Sequence, residues 1–238
     1  MSSATWVLLI LLLLTAAETV DAADDLQGVW LLQRAHGAST AAAAGSTQLT
    51  AAGKEAYLRN QRAAARHDAS VDTLQRCASP GMPRIELLRY PFQIVQQPDS
   101  VIAIFEWNHL FRQIALDGRR DPYTMASPMG YSDAHWEGDV LVVTTTDRDG
   151  STWLDNTGLP HGEQLKLLER LRLTNHRNTL EDRITVEDPE YYAKPWEFVL
   201  HFDRQRNGTI TEDVCQDRVA AGRSAVEDQR LRTRPGAH

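Results

Sequence analysis

The sequence predicts a mainly β protein: a single antiparallel β-barrel with an N-terminal surface helix and a flexible C-terminal tail. Three observations carry this. From residue 84 to residue 214, short segments place apolar residues at every second position and are separated by Gly, Pro, Asn and Asp turns. Most connections are short, which favours strands that follow one another as an antiparallel meander. Closing the meander into a barrel hides its edges. A β-sandwich is the competing architecture. The 238 residues, 42% of them hydrophobic, suffice for one such core.

Trp6 to Leu14 is an unbroken apolar run, shorter than the roughly 20 residues a membrane span needs. It fits the apolar core of a secretory signal, and Val20-Asp21-Ala22 offers a small-x-small cleavage site. Residues 1–22 are therefore expected to be removed, leaving no stable membrane span. The alternative is an uncleaved anchor. An exported chain meets oxidising conditions, so Cys77 and Cys215 are expected to pair. A bridge closing so long a loop contributes up to about 5 kcal/mol in the chain-entropy picture. A reactive thiol is the functional alternative.

Leu26 to Gln33 reads as the first strand, and its Gly28-x-Trp30 is the lipocalin-like feature, with Trp30 plugging one end. Thr50 to His67 reads as a helix, N-capped by Thr50, with a thin apolar face of Ala and Leu suited to the edge of a core. The barrel domain is expected over 23–216, with this helix as an insertion. Ile85 to Gln96 reads as β interrupted by Pro91. Val101 to Trp107 and Leu110 to Leu116 form a hairpin about Asn108-His109. A long loop, 117–130, follows. Tyr131 to Trp136 and Val140 to Thr146 form a second hairpin about Glu137-Gly138-Asp139. Leu165 to Thr174, Leu180 to Val186, Trp196 to Phe202 and Ile210 to Val214 alternate as further strands, and 217–238 become a charged tail.

Composition narrows function. A formal net charge of −7 argues against a nucleic-acid partner held by a basic face. Two cysteines rule out a disulfide-rich miniprotein and a Cys-based zinc site. No nucleophile elbow, P-loop or dinucleotide fingerprint is present. No H-x-H or H-E-x-x-H cluster occurs, and Glu106-x-x-His109 would serve a metal only on a helix, so neither metal nor other cofactor is expected.

Ionisable residues on apolar faces are the chemical candidates. Asp182 shares a face with Leu180, Ile184 and Val186, while the opposite face is Thr179, Glu181, Arg183, Thr185 and Glu187. Arg112 shares one with Leu110, Ile114 and Leu116, and Glu212 one with Ile210 and Val214. Glu106 shares one with Ile102 and Ile104, but Val101, Ala103 and Phe105 make an equally apolar face, so either can point inward. Buried charges are costly unless paired, so several together imply a partly polar lumen. The bland reading is a structural Arg–carboxylate pair. The chemical reading makes Glu106 or Asp182 the general base, His109 the acid partner and Arg112 the holder of a developing oxyanion. Trp107, Trp136, Trp153, His161 and Trp196 are the candidate substrate contacts.

Trp136-Glu-Gly-Asp139-Val-Leu-Val-Val143, Thr152-Trp-Leu-Asp155, Gly158-Leu-Pro-His161, Val186-Glu-Asp-Pro189 and Lys194-Pro-Trp196 together resemble a large, mostly uncharacterised family of exported bacterial lipocalin-like β-barrel proteins. Cys77-x-x-Pro-Gly-Met-Pro83, Gln93-Ile-Val-Gln96, Asp117-Gly-Arg119 and Glu169-Arg170 extend the match to roughly residues 74–216. The resemblance implies a periplasmic or secreted small barrel with both cysteines as regular features. Val143-Thr-Thr-Thr146 departs from it, because the relatives often carry an acidic residue after the valines.

The expected function is a cofactor-independent lyase or isomerase of the cell envelope. Its substrate would be a hydrophobic aromatic or terpenoid-like molecule, with retro-aldol side-chain cleavage as one fitting reaction. The alternative is a noncatalytic carrier of a hydrophobic ligand. A packed structural barrel is the third possibility.

Overall fold

The computed structural model describes residues 25–33, 47–116, 118, 125–146 and 148–226. The expected signal segment and the end of the charged tail lie outside these. Nine strands form a barrel: β1 (Gly28–Leu32), β2 (Phe92–Gln96), β3 (Ser100–Phe105), β4 (Phe111–Ala115), β5 (Tyr131–Glu137), β6 (Val140–Thr146), β7 (Lys166–Thr174), β8 (Thr179–Glu187) and β9 (Trp196–Arg204). Helices α1 (Ala51–Ala65) and α2 (Cys215–Ala220) flank it. The strands lie in sequence order and β9 pairs back onto β1, closing the ring.

The expectation of an antiparallel barrel needs one correction. Every neighbouring pair is antiparallel except β4 and β5, which run parallel through Ile114↔Ser132 and Ala115↔Asp133. Parity requires it: directions cannot alternate around a ring with an odd number of strands. A parallel pair needs a connection that returns the chain to the same end of the barrel, and it falls between Ala115 and Tyr131.

The register defines two ends. At the turn end the chain reverses tightly between β2 and β3, β5 and β6, and β7 and β8. There Trp30 is fully buried, its Nε1 donating to the Leu26 carbonyl at 3.0 Å, and Arg204 covers its ring at 4.2 Å. The loop end receives the long connections before β2, between β6 and β7, and between β8 and β9.

Two expected strands are not strands. The first half of 85–96 forms a short 3-10 helix, Arg84–Leu88, because Pro83 and Pro91 bracket it and deny it ladder donors. Its Ile85 and Leu87 join the barrel core. Residues 210–214 stay outside the sheet, because β9 already pairs with β1 and leaves no free edge. Glu212 is consequently exposed. The tail is also less uniform than its charge suggests: 215–220 are helical and Ala225 is buried.

Elsewhere local pattern and structure agree. Thr50 caps α1 by accepting from the Gly53 N–H at 3.0 Å, and the helix buries Gly53, Ala56, Asn60 and Ala63 along one narrow stripe. Gly53 is required there, since a Cβ would lie 2.2 Å from the Tyr191 carbonyl. On β3 the inward face is Val101, Ala103 and Phe105. No helix among the described residues is long and apolar enough to cross a membrane.

Cys77 and Cys215 are bonded, with Cα atoms 5.5 Å apart. They anchor a second apolar cluster of Leu74, Leu88, Tyr90, Trp107 and Ala225, outside the barrel core.

Candidate functional site in the barrel interior

Strand alternation turns Arg112 of β4, Ser132 of β5, Thr145 of β6, Glu169 of β7 and Asp182 of β8 away from solvent; all are buried. Arg112 reaches across the short β4–β5 seam. Its Nε donates to Ser132 Oγ at 3.0 Å and its Nη2 to Thr145 Oγ1 at 2.7 Å. Both terminal nitrogens donate to Glu169, Nη1 to Oε1 at 2.8 Å and Nη2 to Oε2. Thr145 also donates to Glu169 Oε2 at 3.2 Å. This bidentate pair strengthens a seam whose backbone ladder is only two residue pairs long.

Two further carboxyl groups join it. Glu86 enters from the 3-10 helix at the loop end, and Asp182 sits diagonally across the β7–β8 ladder from Glu169. One oxygen from each of Glu86, Glu169 and Asp182 lies within 4.8 Å of the other two. Both Asp182 oxygens and Glu86 Oε2 are buried without a hydrogen-bond partner among the described residues. Burial, reinforced by the Glu169 charge and opposed by Arg112, pushes Glu86 up to about 8. Burial and the charges of Glu169 and Glu86 also hold Asp182 well above the ordinary carboxyl range. Burial works to lower Arg112, but the charge and hydrogen bonds of Glu169 outweigh it and raise the guanidinium. The cluster thus combines one carboxylate–guanidinium pair with two acids biased to keep their protons. Its donor set of carboxyl and hydroxyl oxygens also suits a hard cation.

A separate network closes the loop end. Arg148 donates to the Met82 carbonyl at 2.6 Å and to Thr152 Oγ1 at 3.1 Å. Thr152 Oγ1 is 2.8 Å from His161 Nε2, and His161 Nδ1 is 3.1 Å from the Gly162 carbonyl. Nδ1 must donate to that carbonyl, so Nε2 accepts from the threonine. Burial first, then Arg148, lowers His161 to about 3. Burial, then Arg112, lowers Arg148 to about 9. Gly81 makes room for this network: it has φ +74°, and a Cβ there would meet Arg148 Nη2 at 2.5 Å. Arg84 lies over the Trp153 ring at 4.8 Å and donates to Asp72 at 2.6 and 3.1 Å.

The expected site residues therefore divide into three groups. Arg112 and Asp182 meet inside the barrel. Trp136 packs on the core from the turn end, and Trp196 stacks on Phe198 inside it at 5.5 Å. Trp153 and His161 lie in the loop-end closure. Glu106, Trp107 and His109 face outward. Glu106 Oε2 accepts from the Thr211 N–H and hydroxyl at 2.9 and 3.0 Å. His109 Nε2 accepts from the Asp213 N–H at 2.9 Å, and Trp107 Nε1 donates to the Ala225 carbonyl at 3.0 Å. These three clasp the chain after β9 and do not join Arg112.

Sequence reading missed Glu169 and Glu86 as site members. Glu169 had a signal: it stands among Leu165, Leu167, Leu171 and Leu173 on one face of an alternating strand. Glu86 had none, because an irregular segment has no alternation to read. Compared with known proteins, the chain matches no family model and no curated protein.

Proposed function

We propose that the protein is an exported, lipocalin-like barrel enzyme that moves protons on a hydrophobic small molecule. The observation that supports this most is Asp182, buried beside the Arg112–Glu169 pair with both carboxyl oxygens unpartnered. An unpaired buried carboxyl costs stability, and a role in proton transfer gives that cost a reason. Asp182 is the group that takes or gives the substrate proton. Glu86, pushed up to about 8, is the acid partner at neutral pH.

Arg112 is the oxyanion holder. Its four bonds to Ser132, Thr145 and Glu169 leave one of five N–H groups for a substrate oxygen. Phe105, Phe198 and Trp196 contribute aromatic surface to the same interior, which favours an aromatic or terpenoid-like substrate. The reaction class is lyase or isomerase: enolisation, double-bond migration or retro-aldol cleavage. The clasp residues Glu106 and His109 take no part. The resemblance to exported barrel proteins and the disulfide support a periplasmic or secreted location.

The test incubates the chain from residue 23 onward with aromatic and terpenoid ketones and aldehydes in D2O, following deuterium uptake and products by mass. Wild type exchanges or cleaves a member of the panel. Asp182→Asn and Glu86→Gln lose this, and Glu106→Gln and His109→Ala retain it. Near-wild-type turnover in Asp182→Asn removes the assignment.

A further inference from the structure

We propose that Glu86, Glu169 and Asp182 form a binding site for one hard divalent cation of the Ca2+ or Mn2+ type. The inference uses the carboxyl groups of the catalytic reading but none of its chemistry.

Geometry comes first. Oxygens bound to Ca2+ lie about 2.3–2.6 Å from the ion, so two on opposite sides are about 5 Å apart. Oxygens of the three residues already lie within 4.8 Å of one another. They come from three separate elements, β7, β8 and the 3-10 helix that plugs the loop end. An ion there would tie that plug to the barrel wall.

The second observation is the missing partners. Both Asp182 oxygens and Glu86 Oε2 are buried and accept no hydrogen bond from the described residues. A buried acceptor without a donor calls for an explanation, and a bound cation supplies one for all three oxygens at once. Asp182, only 1% exposed, offers an oxygen to it.

Charge completes the argument. Charge balances once the ion displaces the protons of Glu86 and Asp182: three ionised carboxylates with one guanidinium leave two negative charges, which one divalent ion neutralises. Arg112 and the ion do not exclude each other, because Glu169 Oε1 accepts one hydrogen bond from Arg112 and keeps a second lone pair. Among the three residues every ligand atom is a hard oxygen, which disfavours copper and zinc. Mg2+ retains several waters, so a site walled by buried side chains favours the larger ions.

The experiment strips the chain from residue 23 onward with chelator and titrates it with CaCl2 and with MnCl2 by calorimetry. One saturable site is expected. Asp182→Asn and Glu86→Gln each weaken it at least about tenfold, since affinity follows the count of charged ligands. Glu137→Gln, on the outer surface, leaves it unchanged. Should either interior variant fail to fold, wild type alone decides by Mn2+-induced NMR broadening. Leu171 and Leu200, which flank Asp182 in register, broaden first if the ion is inside.

Absence of saturable binding up to millimolar ion overturns the site. So does equal binding in both interior variants, or broadening that begins at surface carboxylates. Ion binding without turnover on the carbonyl panel keeps this site and removes the catalytic reading. Turnover without ion binding does the reverse.

Discussion

Glu106, His109 and Arg112 lie within seven consecutive positions, yet they serve two different regions. Arg112 points into the barrel and pairs with Glu169; Glu106 and His109 point out and hold the chain that returns after β9. The two regions use the same residue types for opposite ends. In the outer clasp, Glu106 and His109 each accept from a backbone N–H of the returning chain, beside a disulfide. The interior cluster leaves Asp182 and Glu86 with orphaned oxygens. Satisfied polar groups fit a structural fastening, whereas buried unsatisfied carboxyl oxygens call for an explanation, of which a bound group is one.

The largest effect is expected inside. Arg112→Ala strands Glu169 in the barrel and costs about 3–5 kcal/mol, measured by chemical denaturation. Arg112→Met combined with Glu169→Met recovers most of that loss. A single substitution costing under about 1 kcal/mol would mean that the pair is not effectively buried. Next comes the clasp: Cys77→Ser with Cys215→Ser costs about 2–5 kcal/mol, while far-UV dichroism keeps its barrel signature.

Smaller effects sharpen the contrast. Glu106→Gln weakens the bonds to Thr211 and costs about 1–2 kcal/mol without changing turnover. Asp182→Asn changes stability by under about 1 kcal/mol, because it breaks no existing bond, yet abolishes turnover. If the two variants exchange these signatures, the assignment of inside and outside is wrong.

The smallest effect at neutral pH is one that shows as a slope on the acid side. His161 stays neutral in the folded chain down to about 3, while the unfolded chain takes up its proton from its ordinary value of 6.5 downward. Its contribution to stability is therefore full above pH 6.5 and lost progressively as pH falls toward 3. His161→Gln flattens the acid side of a plot of melting temperature against pH. An unchanged slope would show that the histidine is open to solvent.

Much of the barrel was legible because alternation is a local property. Asp182 was placed on the buried face of its strand from its neighbours alone, and Leu180, Ile184 and Val186 are indeed buried with it. The same logic gives no answer on β3, where both faces are apolar, and so it leaves open whether Glu106 joins the lumen. Strand alternation ends at Phe105, and Asn108 and His109 adopt left-handed backbone angles, so inward or outward direction cannot be counted through the turn. Residues 210–214 alternate as well as any strand, but closure leaves them no edge to join.

The sequence by itself determined the capped helix, eight of the nine strands nearly to their ends, the core of a ninth at β2, and the two cysteines that could bridge. Each follows from short-range rules of propensity, alternation and turn chemistry. Only the tertiary structure decided that the strands close as an odd ring with one parallel seam. It also decided that Glu86 arrives from an irregular plug and that Arg112 finds Glu169 rather than Glu106. The physical reason is that a pair formed across a barrel depends on where the ring closes and what fills its end. Those are properties of the whole chain, and no window of neighbouring residues contains them.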